Sequence, residues 1–231
     1  MVEISKKYKL KNTVTFGFVN WIGLWTLYKK EVLRFLIVWI QTLLSPIISS
    51  LLFLLVLALA IGNERADVLG YPFITFLAPG LIAMQVIQQA FSHSSSSFMI
   101  GKIQGNIVDI LYAPLSPGEV TTAVVLASAT RSFMIAFISI IIFYFLVDIE
   151  IRNIYAVIFF TLISSIILGC IGVIAGLWAE KFDHMATVTS FIIIPLSFLS
   201  GTFYSIERLP QILQTISTVS YTHLTLPTIR T

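Results

Sequence analysis

"FLIVWIQTLLSPIISSLLFLLVLALAI" occupies residues 35–61 and carries no charged side chain. About 20 apolar residues, wound as a helix, cross the ~30 Å hydrocarbon core of a bilayer. A helix in a soluble core keeps a polar face, and this run has none. It reads as a transmembrane span. Pro46 lies inside it and brings no backbone N–H, so a kink is expected near Ser45–Pro46.

Four more runs share the same pattern, at roughly 71–97, 121–147, 154–178 and 185–204. The chain is 57% hydrophobic and 11% charged, against about 25% charged in a soluble domain. The fold class is therefore all-α integral membrane. The second span contains Pro79-Gly80, and its C-terminal half carries Gln85, Gln88, Gln89, Ser92, His93 and Ser94 to Ser97. Such polarity should face protein or water, because a bare polar group in hydrocarbon costs several kcal/mol. Gly172 and Gly176 form a small-xxx-small pair that lets helices approach closely. The fifth span should bend at Pro195. "GNERADVLG" (62–70), "DIEIRN" (148–153) and "AEKFDH" (179–184) are short polar turns. In 205–219, Leu209, Ile212, Leu213 and Ile216 share one face and suggest a short interfacial helix.

Residues 1–15 are polar and basic. In 16–34, Phe18, Trp21, Ile22, Trp25 and Tyr28 recur at spacings of three and four, with Lys29, Lys30 and Arg34 at the end. An aromatic stripe with a basic flank suits a helix at the membrane interface. The net charge is +3. Lys6, Lys7, Lys9, Lys11, Lys29, Lys30 and Arg34 precede the first span, which marks a cytoplasmic N-terminus against anionic lipid rather than a nucleic-acid partner. That orientation puts Lys102 and Lys181 inside as well, and Arg65, Arg152 and Arg208 outside. Cys170 is the single cysteine, so no disulfide framework is expected. The first apolar run starts too late for a cleavable signal peptide. "SYTHLTLPTIRT" (220–231) is discontinuous with what precedes it and resembles translated adapter read-through. The expectation is that the native sequence stops near Ser220 and that a sixth span is missing; the alternative is a genuine short outer tail.

Between spans two and three stands "KIQGNIVDILYAPLSPGE" (102–119). On a helical wheel Ile103, Ile107, Ile110 and Leu111 share one face, while Lys102, Gly105, Asn106 and Asp109 share the other. This predicts an amphipathic helix of about three turns along the cytoplasmic surface. Pro114 and Pro117 stop it, and Ser116-Pro117-Gly118 turns the chain back into the membrane. A passive interfacial helix is one reading; a lever that docks into another protein is the other.

No catalytic constellation emerges. His93, His184 and His223 fall in three different segments. His184 with Asp183 and Glu180 is a weak metal signal in a solvated turn, so no metal site is assigned. No G-x-x-x-x-G-K-[ST] loop is present, so ATP hydrolysis is not expected in this chain. Arg131 lies about ten residues, or ~15 Å, inside the third span. A mid-membrane Arg costs roughly 2.5–3.5 kcal/mol on insertion scales, so it should serve helix packing, snorkel, or line a wet pathway. Spans without carboxylates disfavour an ion-coupled transporter. A membrane-embedded lipid-modifying enzyme has only the Ser92–Ser97 run with His93 as candidate, a stretch that reads as a wet helix end.

"KEVLRFLIVWIQTLLSP" (30–46), "FLAPGLIAM" (76–84), "SSFMIGKIQGNIVDILYAPLSP" (96–117) and "KFDHMATVTSFIIIPLSFLSGTFYSIERLP" (181–210) occur in this order. They resemble the membrane subunits of type-2 ABC exporters, the permeases for drugs, polysaccharides and nodulation factors. The resemblance covers residues from about 30 to 219. The chain departs at its end, where the family continues with an Asn-Pro turn and a last span. The resemblance implies six spans, of which five are here, an interface helix at 16–34, and a coupling helix at 102–113 between spans two and three. It implies a second contact at the 179–184 turn and an outer re-entrant region at 202–217. The residues expected to couple to the ATPase are then Lys102, Ile103, Asn106, Ile107, Asp109, Ile110, Leu111, Glu180, Lys181 and Asp183. It also implies pairing with a second permease copy and two ATP-binding subunits. Those subunits hold ATP and Mg, so no cofactor is expected in this chain. The expected place is a bacterial inner membrane. No substrate contacts carry over. A neighbouring gene with a Walker A motif would separate this reading from its two rivals.

Overall fold

The computed structural model describes residues 19–61, 72–147 and 153–199. The 62–70 turn, nearly all of 148–153, the expectations at 202–217 and 205–219, the tail at 220–231, Phe18, Arg65, Arg152 and Arg208 lie outside the described residues. Among those described, every element is helical: α1 (Trp21–Ile37), α2 (Ser45–Ile61), α3 (Phe73–Ile103), α4 (Ile107–Tyr112), α5 (Pro117–Leu146), α6 (Ile154–Trp178), α7 (Phe182–Val188) and α8 (Ile194–Leu199). Four helices are long and apolar enough to cross a membrane: Ile40–Ala60, Phe73–Ile103, Pro117–Leu146 and Ile154–Trp178. The described part of the fifth run, Phe182–Phe198, is apolar but shorter.

At Pro46 and Pro195, where kinks are expected, one local structure recurs. Each proline comes just after a five-residue π-helical segment, Ile40–Leu44 and Thr189–Ile193. The Ser45 N–H reaches back five residues to the Ile40 carbonyl, and the Ile194 N–H does the same to Thr189. A proline deprives the carbonyl four residues earlier of its donor. Widening the preceding turn re-satisfies part of the ladder, as membrane helices require.

α3 is the central helix, with α2, α5 and α6 around it. Towards one end Leu77, Leu81 and Phe73 of α3 pack with Leu54 and Phe143. Towards the other, Ile87, Phe91 and Met99 meet Leu168, Ala175, Met185 and Ile193. Lipid tails are as apolar as leucine, so these contacts add dispersion and close fit rather than release from water. The fit is tightest between α3 and α6. A Cβ on Gly172 would stand 2.6 Å from the Phe91 carbonyl oxygen, and one on Gly176 would stand 2.7 Å from that of Ser95. The small-xxx-small pair therefore faces α3 backbone.

α1 runs beside α5. Asn20 meets Glu119, the Tyr28 hydroxyl lies 2.9 Å from that of Thr130, and Phe35 packs on Ile135. The aromatic stripe of Trp21, Ile22 and Trp25 stays exposed. The opposite edge, Leu27, Glu31 and Phe35, is buried.

Candidate functional site

The polar insert is built differently from a three-turn helix. α3 continues through Lys102 and Ile103, then Gly105 takes φ 76° and breaks the helix. Glycine enters that left-handed region without a Cβ penalty and commonly ends helices. The chain resumes as α4, only six residues long. The wheel face also splits. Ile107 packs beside Phe98, Val124, Val125 and Val173, and Ile110 is half-buried. Ile103, Val108, Leu111 and Tyr112 are exposed, the last two at 75% and 87%. Asn106 and Asp109 are exposed as well. Pro117 does not stop this helix; it opens α5 at a position where its missing N–H costs nothing.

Both ends of the insert are tied to the bundle. The Lys102 ammonium donates to the Leu177 carbonyl and, at 3.0 Å, to the Ala179 carbonyl. These are orphan acceptors at the C-terminus of α6, where the helix dipole also favours a cation. The tie sets Lys102 beside residues 179–184, where the turn is shorter than expected because α7 opens at Phe182; Glu180, Lys181 and Asp183 are exposed. The Glu180 N–H approaches His184 Nδ1 at 3.5 Å, and the His184 ring lies 5.5 Å from that of Trp178. At the other end Glu119 and Ser116 form a capping box. Glu119 accepts from the Ser116 N–H at 2.7 Å and from the Asn20 N–H at 2.6 Å. The Asn20 side chain donates to the Pro114 carbonyl at 3.0 Å and caps α1 by accepting from the Gly23 N–H at 2.9 Å. The N-terminus of α1, residues 102–119 and the end of α6 thus share one end of the bundle.

Deeper in, a second polar cluster joins α1, α3, α5 and the π segment before α2. Glu31 of α1 is 3% exposed. It pairs with Arg34 at 2.9 Å, accepts from the Ser97 hydroxyl at 2.9 Å and stands 3.8 Å from His93 Nε2. Arg34 also donates to the His93 carbonyl at 3.3 Å. Arg131, 8% exposed, donates to Gln89 Oε1 at 2.6 Å and to the Thr42 carbonyl at 3.1 Å. Thr42 is the residue whose carbonyl Pro46 leaves without its ordinary donor. Arg131 therefore braces α5, α3 and the π segment before α2. The middle of the serine run is no wet helix end: His93, Ser94 and Ser95 are at most 2% exposed, while Ser92 is exposed and Ser96 and Ser97 are half-buried. Among the described residues of the four long helices the one carboxylate is Glu119, in the first turn of α5; α1 brings Glu31 to the deeper cluster. Among the described residues no group of three or more His, Cys, Asp or Glu could hold a metal ion.

The family described as ABC-2 type transporter matches residues 23–231. The inner membrane transport permease YadH of Escherichia coli K12 is 30% identical over 197 residues, covering 85% of this chain and 77% of that protein. Nodulation protein J of Rhizobium leguminosarum bv. viciae is 24% identical over 216 residues, covering 89% and 78%. No solved structure matches.

Proposed function

Because the chain belongs to the ABC-2 type transporter family, as a membrane transport subunit, we propose that it is the permease of an ATP-driven exporter. Its N-terminus and residues 102–119 lie in the cytoplasm of a bacterial cell, and the spans lie in the inner membrane. Two copies pair with two copies of a separate ATP-binding subunit, which holds ATP and Mg. The cargo is an amphiphile of drug, glycan or lipid type, in keeping with relatives called an inner membrane transport permease and a nodulation protein.

One observation carries this reading. The insert is exposed at Leu111 and Tyr112 but hydrogen-bonded at both ends to helices α1 and α6. A force applied to α4 by a partner reaches α1 through Pro114 and Asn20, α5 through Glu119, and α6 through Lys102. An element with one free apolar side and ties to three helices suits a lever.

The test is co-expression with the ATP-binding subunit. Leu111→Asp and Tyr112→Asp put a charge on the exposed side of α4 and spare Ile107, whose side chain packs inward. Each should abolish co-purification of the ATP-binding subunit while leaving the permease monodisperse. Asp109→Ala should weaken it. Normal association and normal transport in all three variants would overturn the lever reading.

A further inference from the structure

Two guanidinium groups converge on one face of α3 with more donor capacity than the described residues match. Arg34 arrives from α1 and Arg131 from α5, and they bind at His93 and Gln89, one helical turn apart. Arg34 has Glu31 as its ion-pair partner. Arg131 has two neutral oxygens, and no carboxylate among the described residues pairs with it. The cluster therefore holds two fixed positive charges against one negative. The Nε of Arg34, the Nε of Arg131 and the Nε2 of His93 are all buried with no hydrogen-bond partner among the described residues.

A buried cation without a counter-charge leaves its desolvation uncompensated. Within a membrane such a residue takes a partner or lines a functional site. The guanidinium edge formed by Nε and a neighbouring Nη matches two oxygens of a phosphate. Arg34 remains 28% exposed along its side chain, so the cluster borders the surface of the bundle while its Nε lies buried.

We propose that Arg34 and Arg131 form a seat for an oxyanion, the phosphate of an amphiphile headgroup or of a free anion. Glu31 opposes that ligand and limits its affinity. The seat goes beyond the transport reading, and its occupancy is read without ATP or a partner subunit.

The experiment uses the whole chain in nanodiscs of phosphatidylglycerol mixed with phosphatidylcholine, whose choline cancels the phosphate charge. Native mass spectrometry of the released protein should show a several-fold preference for phosphatidylglycerol. Arg34→Gln and Arg131→Gln should each bring the preference to parity. Arg34→Gln keeps the test open if loss of the Arg131 brace prevents folding. Glu31→Gln should raise retention, a response that surface charge does not give. Lys29→Gln with Lys30→Gln, both exposed, should leave it unchanged. A second arm adds inorganic phosphate to wild type in uncharged detergent. Thermal stabilisation that is lost in Arg34→Gln identifies a free anion as the source; retention of phosphatidylglycerol alone identifies a headgroup. No response of wild type to either probe overturns the seat. So does a preference that survives both arginine variants, one that disappears with the lysines, or weaker retention in Glu31→Gln.

Discussion

At Asn20 every polar group but the carbonyl is used at one joint. The side-chain oxygen caps α1, the side-chain amide holds Pro114 and the backbone N–H meets Glu119. Asn20→Ala removes a helix cap, about 1 kcal/mol, and a part-buried hydrogen bond, about 1 kcal/mol more. We expect a loss near 2 kcal/mol in unfolding from detergent, with Asn20→Ser recovering roughly the capping half. Equal stability of Asn20→Ala and wild type would show that the joint is not formed. One side of this joint is legible locally, since Ser116 and Glu119 have the spacing of a capping box. The other side is not, because Asn20 precedes Glu119 by 99 residues. Arg131 shows the same limit. Its depth in a span marks it as needing a partner, but Gln89 and Thr42 are polar groups on other helices that no spacing rule connects to it.

Among the elements, the α3–α6 contact rests on absent side chains. The Cβ of an alanine at position 172 would collide with the Phe91 backbone, and a carbonyl oxygen cannot swing away as a long side chain does. Gly172→Ala should force the helices apart and lower the thermal midpoint. Gly118→Ala, with no atom within 4 Å of its Cβ, should be neutral or slightly stabilising, since alanine is the better helix former. A midpoint for Gly172→Ala equal to that of Gly118→Ala would mean the helices are not in backbone contact. Gly105→Ala has open space too, but its φ of 76° costs roughly 1–2 kcal/mol for a residue with a Cβ. It should lose stability without losing packing. Apolar runs, prolines and the Gly172–Gly176 pair made the spans, the places where two of them leave α-helical geometry and a close approach readable. The boundary inside 102–113 was not, because a wheel assumes one unbroken helix and Gly105 ends it. Ser94 and Ser95 misread for a related reason: a polar run resembles a solvated end until α6 presents glycines to it.

For the whole molecule the question is whether the end of the bundle that carries residues 102–119 moves as one body. Lys102 is the test, because it is the residue of α3 that grips the end of α6. Its interaction is a partly exposed charge at a helix C-terminus, worth about 0.3–1 kcal/mol. Lys102→Met keeps the side-chain length and removes the donor, so the protein should fold with a nearly unchanged thermal midpoint. If α3 and α6 must move together when the ATP-binding subunit pushes on α4, the same variant should still associate with that subunit and still support ATP hydrolysis. Transport in proteoliposomes, however, should fall several-fold. Lys102→Arg restores a cation with hydrogen-bond donors and should recover much of the transport. A merely structural tie predicts otherwise: stability, association and transport would decline in proportion, and arginine would rescue all three or none. Transport that stays normal in Lys102→Met, at normal stability, would mean the end of α6 is carried by the glycine contact with α3 alone, and the lever would then act through α1 and α5.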